Sequence, residues 1–165
     1  MLDDDLLAAG AAVGAALGAR GETVAVAEGS CGGLVSAALL SVGGASAYYR
    51  GGAVIYTGAA VRSLIAPAGL EQPQPMRGAS EPFAVYLAES IAVQLRSDWG
   101  LGEGGATGPR GNAYGDPPGH CWLAVAGPSA RTRHLLTGDD DRRRNMAAFA
   151  TALLGLFAEV LAASR

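Results

Sequence analysis

Residues 28–33 read Glu-Gly-Ser-Cys-Gly-Gly and lie between two hydrophobic runs, so a carboxylate, a hydroxyl and a thiol stand within four residues of one another. A serine or cysteine becomes an effective nucleophile only when a neighbouring base takes its proton or when its surroundings lower its pKa. Small residues around such a group free backbone N–H groups to receive a phosphate or a developing oxyanion. Ser30 and Cys31 are the candidate nucleophiles, Tyr56 joins them as a candidate catalytic residue, and Glu28, Gly29, Gly32 and Gly33 are candidate ligand-binding positions. Glu28 either orients the turn by accepting backbone N–H groups or ends a strand in solvent. Cys31, placed at a helix N-terminus, is expected to have a lowered pKa, and His120 or His134 are candidate bases for either nucleophile. A second glycine-rich stretch, residues 104–119, contains Thr107, Gly108 and Pro109 and is a candidate for the opposite wall of one cleft. Neither stretch is a phosphate-binding Walker loop or a dinucleotide fingerprint, because no Gly-Lys-Ser/Thr and no helix-opening G-x-G-x-x-G occurs. The same glycines also suit tight turns that bind nothing.

The elements that must position these groups follow from periodicity. Asp3–Asp5 followed by apolar residues at helical spacing predict a helix over 4–20. The run TVAVAE predicts a buried strand ending at Glu28, and a helical pattern returns from Gly33 to Leu40. A second strand is expected in GGAVIYTG, which puts Tyr56 at a strand end, where it either contacts a ligand or caps the core; a short helix follows over 59–65. Ser80 as N-cap and Pro82 in the first turn predict an amphipathic helix whose Phe83, Leu87, Ile91 and Leu95 share a face. Residues 98–119 read as loop. HCWLAVAG and ARTRHLLTG predict a hairpin, and a last helix is expected over 142–163 after three aspartates. Arg142, Arg143 and Arg144 then form a solvated helix start, or one of them meets a phosphate. Early alternation of strand and helix with a late hairpin predicts one α/β domain over 1–165 with a mixed sheet.

Composition narrows the partners. The net charge of -3 offers no electrostatic reason to expect nucleic acid or an anionic membrane. The N-terminus has no basic segment ahead of its apolar run, which is short for a membrane span, so a cytoplasmic location is expected. Half the residues are apolar and 16% are charged, which suggests that another copy covers part of the surface as a homo-oligomer. Cys31 and Cys121 lack CxxC spacing and are expected to be free thiols. No cofactor and no metal site are expected. All twelve basic residues counted as Lys or Arg are arginine.

The sequence as a whole resembles the CinA C-terminal domain family, whose active members are nicotinamide-nucleotide amidases. AEGSCGG is similar to its AES-C/L-TGG segment, and GGASAYYRGGAVIYTGAAVRSLI to its G-S-S-x-x-F-x-x-G-x-V-x-Y-S-N-x-A-K-x-x-L-L stretch. GASEPFAVYLAESIA, GATGPRGNAYGDPPGHCWLAVAGP and LLTGDDDRRRNMAAFATALL resemble its A-V-S-E helix, its G-I-A-G-P to T-V-W-I-A segment and its closing F-x-G-D-R helix. The resemblance implies a three-layer α/β/α sandwich with a mixed, mostly parallel five-stranded sheet, usually oligomeric. It also implies that the molybdopterin-binding-like N-terminal domain of many members is lacking here. In active members, it implies, a serine activated by a lysine attacks the carboxamide of nicotinamide mononucleotide, giving nicotinic acid mononucleotide and ammonia. Here the family serine falls on Gly29 and the lysine on Val61, while Tyr56 keeps its place. Arg62 cannot replace the lysine, since a guanidinium does not deprotonate in a protein. The family strand A-V-S-V-T-G falls on residues 100–105, Gly-Leu-Gly-Glu-Gly-Gly, where a weak or absent strand is expected. The family's later lysine and threonine fall on Asp116 and His120. The implied function is that of a CinA-like protein with impaired or lost amidase activity; the alternative is a non-catalytic oligomer that binds a nucleotide-like ligand or acts as a scaffold.

Overall fold

A computed structural model describes residues 2–164. Helix α1 (Asp4–Arg20) starts where Asp3 accepts the Leu6 N–H and ends at Gly21, whose left-handed conformation suits glycine. Strand β1 (Val24–Glu28) is buried throughout and leads through the 29–33 turn into α2 (Leu34–Leu40). Strand β2 (Tyr49–Val54) precedes a short turn of helix, α3 (Gly58–Ala60), which widens into one π turn over Val61–Ile65. Helix α4 (Glu81–Leu95) is followed by β3 (Trp99–Ala106), β4 (His120–Ala126), β5 (Arg131–Leu136) and α5 (Arg142–Ala163). Ser80 occupies the N-cap position of α4, but its hydroxyl donates to the Arg77 carbonyl rather than accepting from the helix.

The sheet order is β2-β1-β3-β4-β5. β1 is parallel to both β2 and β3, whereas β4 is antiparallel to β3 and β5, so β4 alone runs against the other strands. One face carries α1, α2 and α5 over a core that includes Val13, Leu17, Val26, Leu101, Leu123, Leu153 and Phe157. The other carries α4 and the π turn over Ala25, Ala27, Ile65, Phe83, Leu87 and Ile91. This is the expected three-layer α/β/α sandwich. Although α5 is long and apolar enough to cross a membrane, Phe149, Leu153, Leu154 and Phe157 bury its inner face here.

The expectation of a weak or missing strand over 100–105 is overturned. β3 is central and buried, paired with β1 on one side and β4 on the other. Glycine usually weakens a strand because it brings no side chain to pack. Here the missing side chains are what lets α4 lie directly on the sheet. A Cβ at Gly100 would stand 1.9 Å from the Ala88 carbonyl oxygen, and one at Gly102 would stand 2.2 Å from that of Ala84. Opposite the glycines α4 presents Ala84 and Ala88, so backbone meets backbone across this part of the interface.

Candidate active site

Parallel strands deliver their C-terminal ends to one edge, and ligands of open α/β sheets bind outside that edge. The turn after β1 and the loop after β3 meet there. Together with the segment after β2 they enclose a cleft of about 480 Å³, within the range of small-molecule sites. Gly29 and Ser30 line one side and Thr107, Gly108, Arg110 and Asn112 another, with Tyr56, Val61, Met76 and Phe83 adding apolar surface.

The first turn is tied to its neighbours by two buried carboxylates. Glu28 and Glu103 are register partners on β1 and β3, and both are fully buried. The Glu28 carboxylate accepts the N–H groups of Gly33 (2.9 Å), Val35 (3.1 Å) and Ser36 (2.8 Å) and the Ser36 hydroxyl (2.6 Å). It therefore fills the start of α2 from within. The ligand-binding role expected of Glu28, Gly32 and Gly33 is corrected accordingly: this helix terminus is already occupied, and none of the three lines the cleft.

Glu103 serves the residues at the tip of the turn. Ser30 Oγ donates to Glu103 Oε2 at 2.5 Å, and the Cys31 N–H donates to Oε1 at 2.7 Å. Burial pushes the Glu103 carboxyl above its ordinary range and nearby Glu28 adds to the rise, while the bonds from Cys31 and Ser30 oppose it.

Cys31 is not the acidic thiol expected at a helix terminus. It is fully buried, and burial first, then the Glu103 carboxylate, push its thiol well above the usual range. Cys121 is likewise buried and raised, chiefly by desolvation, and both cysteines are free. The histidines are not bases for Ser30 either. His120 Nε2 lies 2.9 Å from the Ala79 carbonyl oxygen, and His120 Nδ1 lies 2.9 Å from His134 Nε2. A carbonyl only accepts, so Nε2 carries the proton and the two rings bond each other. Neither ring lines the cleft.

Tyr56 lies beyond β2, is 71% exposed and lines the cleft, so it does not cap the core. Thr107 and Gly108 line the cleft, whereas Pro109 does not and its neighbour Arg110 does. Of the three arginines at the start of α5, Arg142 lines the cleft and donates to the Gly108 carbonyl at 3.2 Å. Arg144 is paired with Asp139, whose carboxyl that pairing lowers to about 2.

Two further residues matter to the site without an obvious mark in the sequence. Asn145, buried in α5, donates to the carbonyls of Thr107 and Asp139 at 2.8 Å each and so fastens the second loop to the helix. Directly after Arg142, Arg143 and Arg144 it reads as one more polar residue of a solvated helix start, so the sequence carried no signal for it. Glu103, read as a strand breaker among glycines, is the other. Val61, the residue expected at the family's lysine position, sits in the π turn on the cleft wall and brings only a side chain without ionisable groups. Gly29, the residue expected at the family's serine position, donates its N–H to the Glu103 carbonyl, and a Cβ there would approach that oxygen to 2.9 Å.

The CinA C-terminal domain family model matches residues 7–161. Nicotinamide-nucleotide amidohydrolase PncC of Escherichia coli (strain K12) is 34% identical over 159 residues, covering 93% of this chain and 95% of that protein. A CinA-like protein of Anaeromyxobacter sp. (strain Fw109-5) is 41% identical over 145 residues, covering 84% of this chain and 34% of the relative; the chain thus spans about a third of that relative's length. Among solved structures, competence damage-inducible protein A (ComA) of Klebsiella pneumoniae superposes with a TM-score of 0.88 at 25% identity, covering 97% of this chain and 99% of that one. Its fold, its motif order and these similarities place the chain in the CinA C-terminal domain family.

Proposed function

We propose that the cleft binds a nicotinamide nucleotide, or an anion of that chemical class, and that the chain does not hydrolyse its amide by a serine–lysine route. One observation carries the ligand class: among the described residues, the cleft is lined by Arg110 and Arg142 and by no carboxylate. An anionic group is favoured there by charge, and arginine suits a phosphate through its planar set of donors. Tyr56 and Phe83 offer surface for a flat ring. Similarity to the E. coli amidohydrolase supports the nicotinamide nucleotide over other anions. The second half of the proposal rests on Val61 at the lysine position and on a sequence that contains no lysine.

Calorimetric titration with nicotinamide mononucleotide and with its riboside, which lacks the phosphate, tests the ligand class. Hydrogen bonds to a charged group are worth about 1.5–3 kcal/mol, so the mononucleotide should bind about ten- to a hundredfold more tightly. Equal affinities, or no binding of either, would refute the reading. Val61 also favours a second reading, a binding module on the same fold that performs no hydrolysis. Sustained ammonia release from the mononucleotide would eliminate it.

A further inference from the structure

A fully buried carboxylate in the central strand of a sheet is costly unless donors satisfy it. Glu28 meets that condition and holds α2 in place. Glu103 is different. The donors found on it are the Ser30 hydroxyl, the Cys31 N–H and, at 3.8 Å, the Cys121 thiol, and among the described residues no arginine or histidine pairs with it. One of its oxygens is committed to the hydroxyl of a residue that lines the cleft. Ser30 is only partly buried, whereas Glu103 is shut away from water, so the pair has one member at the ligand and one in a dry interior.

The geometry points to Ser30 and Glu103 as a nucleophile–base pair for acyl transfer at the cleft. A carboxylate in hydrogen-bond reach of a serine can take its proton as the oxygen attacks. Burial that raises the affinity of Glu103 for a proton makes it a stronger base than an exposed carboxylate. With an amide substrate, Glu103 takes the Ser30 hydroxyl proton while Oγ bonds to the carbonyl carbon. The tetrahedral adduct collapses, the C–N bond breaks, and the nitrogen leaves as ammonia carrying the proton returned by Glu103. Water then gives a proton to Glu103 and attacks the ester. Cleavage of the acyl–Oγ bond releases the acid, and the proton restores the serine. The choice of a carboxamide rests on the ligand proposed above; the pair itself does not.

A fluorophosphonate tests the pair without a substrate, because an activated serine displaces its fluoride and keeps the phosphonyl group. Intact-mass spectrometry of the wild-type chain should show one adduct, mapped to the peptide containing Ser30 and absent in Ser30→Ala. Glu103→Gln keeps the shape but cannot take a proton, so labelling should slow by about a hundredfold, at the lower end of the general-base range. Should that variant fail to fold, the wild-type pH profile decides. Labelling should rise as Glu103 ionises, above the ordinary glutamate range, in the company of Glu28 from β1, Cys31 from the turn and Cys121 from β4. No adduct on folded wild type, an adduct that survives Ser30→Ala, an unchanged rate in folded Glu103→Gln, or a flat pH profile would overturn the pair. Binding of the mononucleotide without labelling would refute the pair and leave the ligand reading intact; labelling without binding would do the reverse.

Discussion

Replacing Gly102 by alanine adds one methyl group at the most confined interface of the fold. That Cβ would lie 2.2 Å from the Ala84 carbonyl oxygen, 2.6 Å from the Ala88 backbone nitrogen and 3.1 Å from the Ala88 Cβ. Two of the three contacts are helix backbone, so a rotamer change cannot relieve them. β3 is paired on both sides, which leaves it little freedom to retreat. Overpacking a core costs about 1–3 kcal/mol, and backbone contacts place this substitution at or above the upper end. For a chain of this size each kcal/mol shifts Tm by about 2–4 °C, so about 3 kcal/mol becomes a loss of roughly 6–12 °C. Circular dichroism melting of Gly102→Ala beside Gly18→Ala measures it. Gly18 is an exposed position within α1, and a Cβ there meets nothing, so alanine should stabilise by about 0.5–1 kcal/mol. A Gly102→Ala protein melting within 2 °C of wild type, about 0.5–1 kcal/mol, would refute the close approach of α4 to the glycine strand.

Glu28→Ala leaves three N–H groups and the Ser36 hydroxyl without their acceptor, and should cost about 3 kcal/mol in denaturant unfolding, while Glu28→Gln, which retains one acceptor oxygen, should cost less. Both cysteines should resist a thiol reagent in the native protein and react after unfolding; fast reaction of Cys31 in the folded state would contradict its burial. The Glu103 carboxyl is raised by folding above its ordinary 4.5, so its favourable contribution is complete below the unfolded value and disappears as pH rises through the folded one. Glu103→Gln lacks that titration. The Tm of this variant relative to wild type should therefore increase between acid and mildly alkaline pH, and a difference independent of pH would count against a raised Glu103.

Much of the architecture is legible in local patterns because local interactions decide it. Asp3 and Asp141 cap α1 and α5, and the expected bounds of both helices agree with those observed. The meeting of the two glycine-rich loops follows from parallel strands, which bring successive turns to one edge. β3 was obscured because its glycines are disfavoured in an isolated strand and justified only by a helix that lies elsewhere in the sequence. Cys31 misled for a related reason. Adjacency to a helix start is visible in sequence, but the carboxylate that already fills that start arrives from the preceding strand. The value of Glu103 also depends on tertiary contact: Ser30 is 73 positions away in the chain and 2.5 Å away in the fold.

The most direct test of the account is a crystal structure of the protein with nicotinamide mononucleotide. The phosphate is predicted to lie within hydrogen-bond distance of Arg142 or Arg110, with the ring in the cleft and the carboxamide carbon facing Ser30 Oγ. A nucleotide bound outside the cleft, or one in the cleft with its phosphate remote from both arginines, would contradict the assignment of this edge of the sheet as the ligand site.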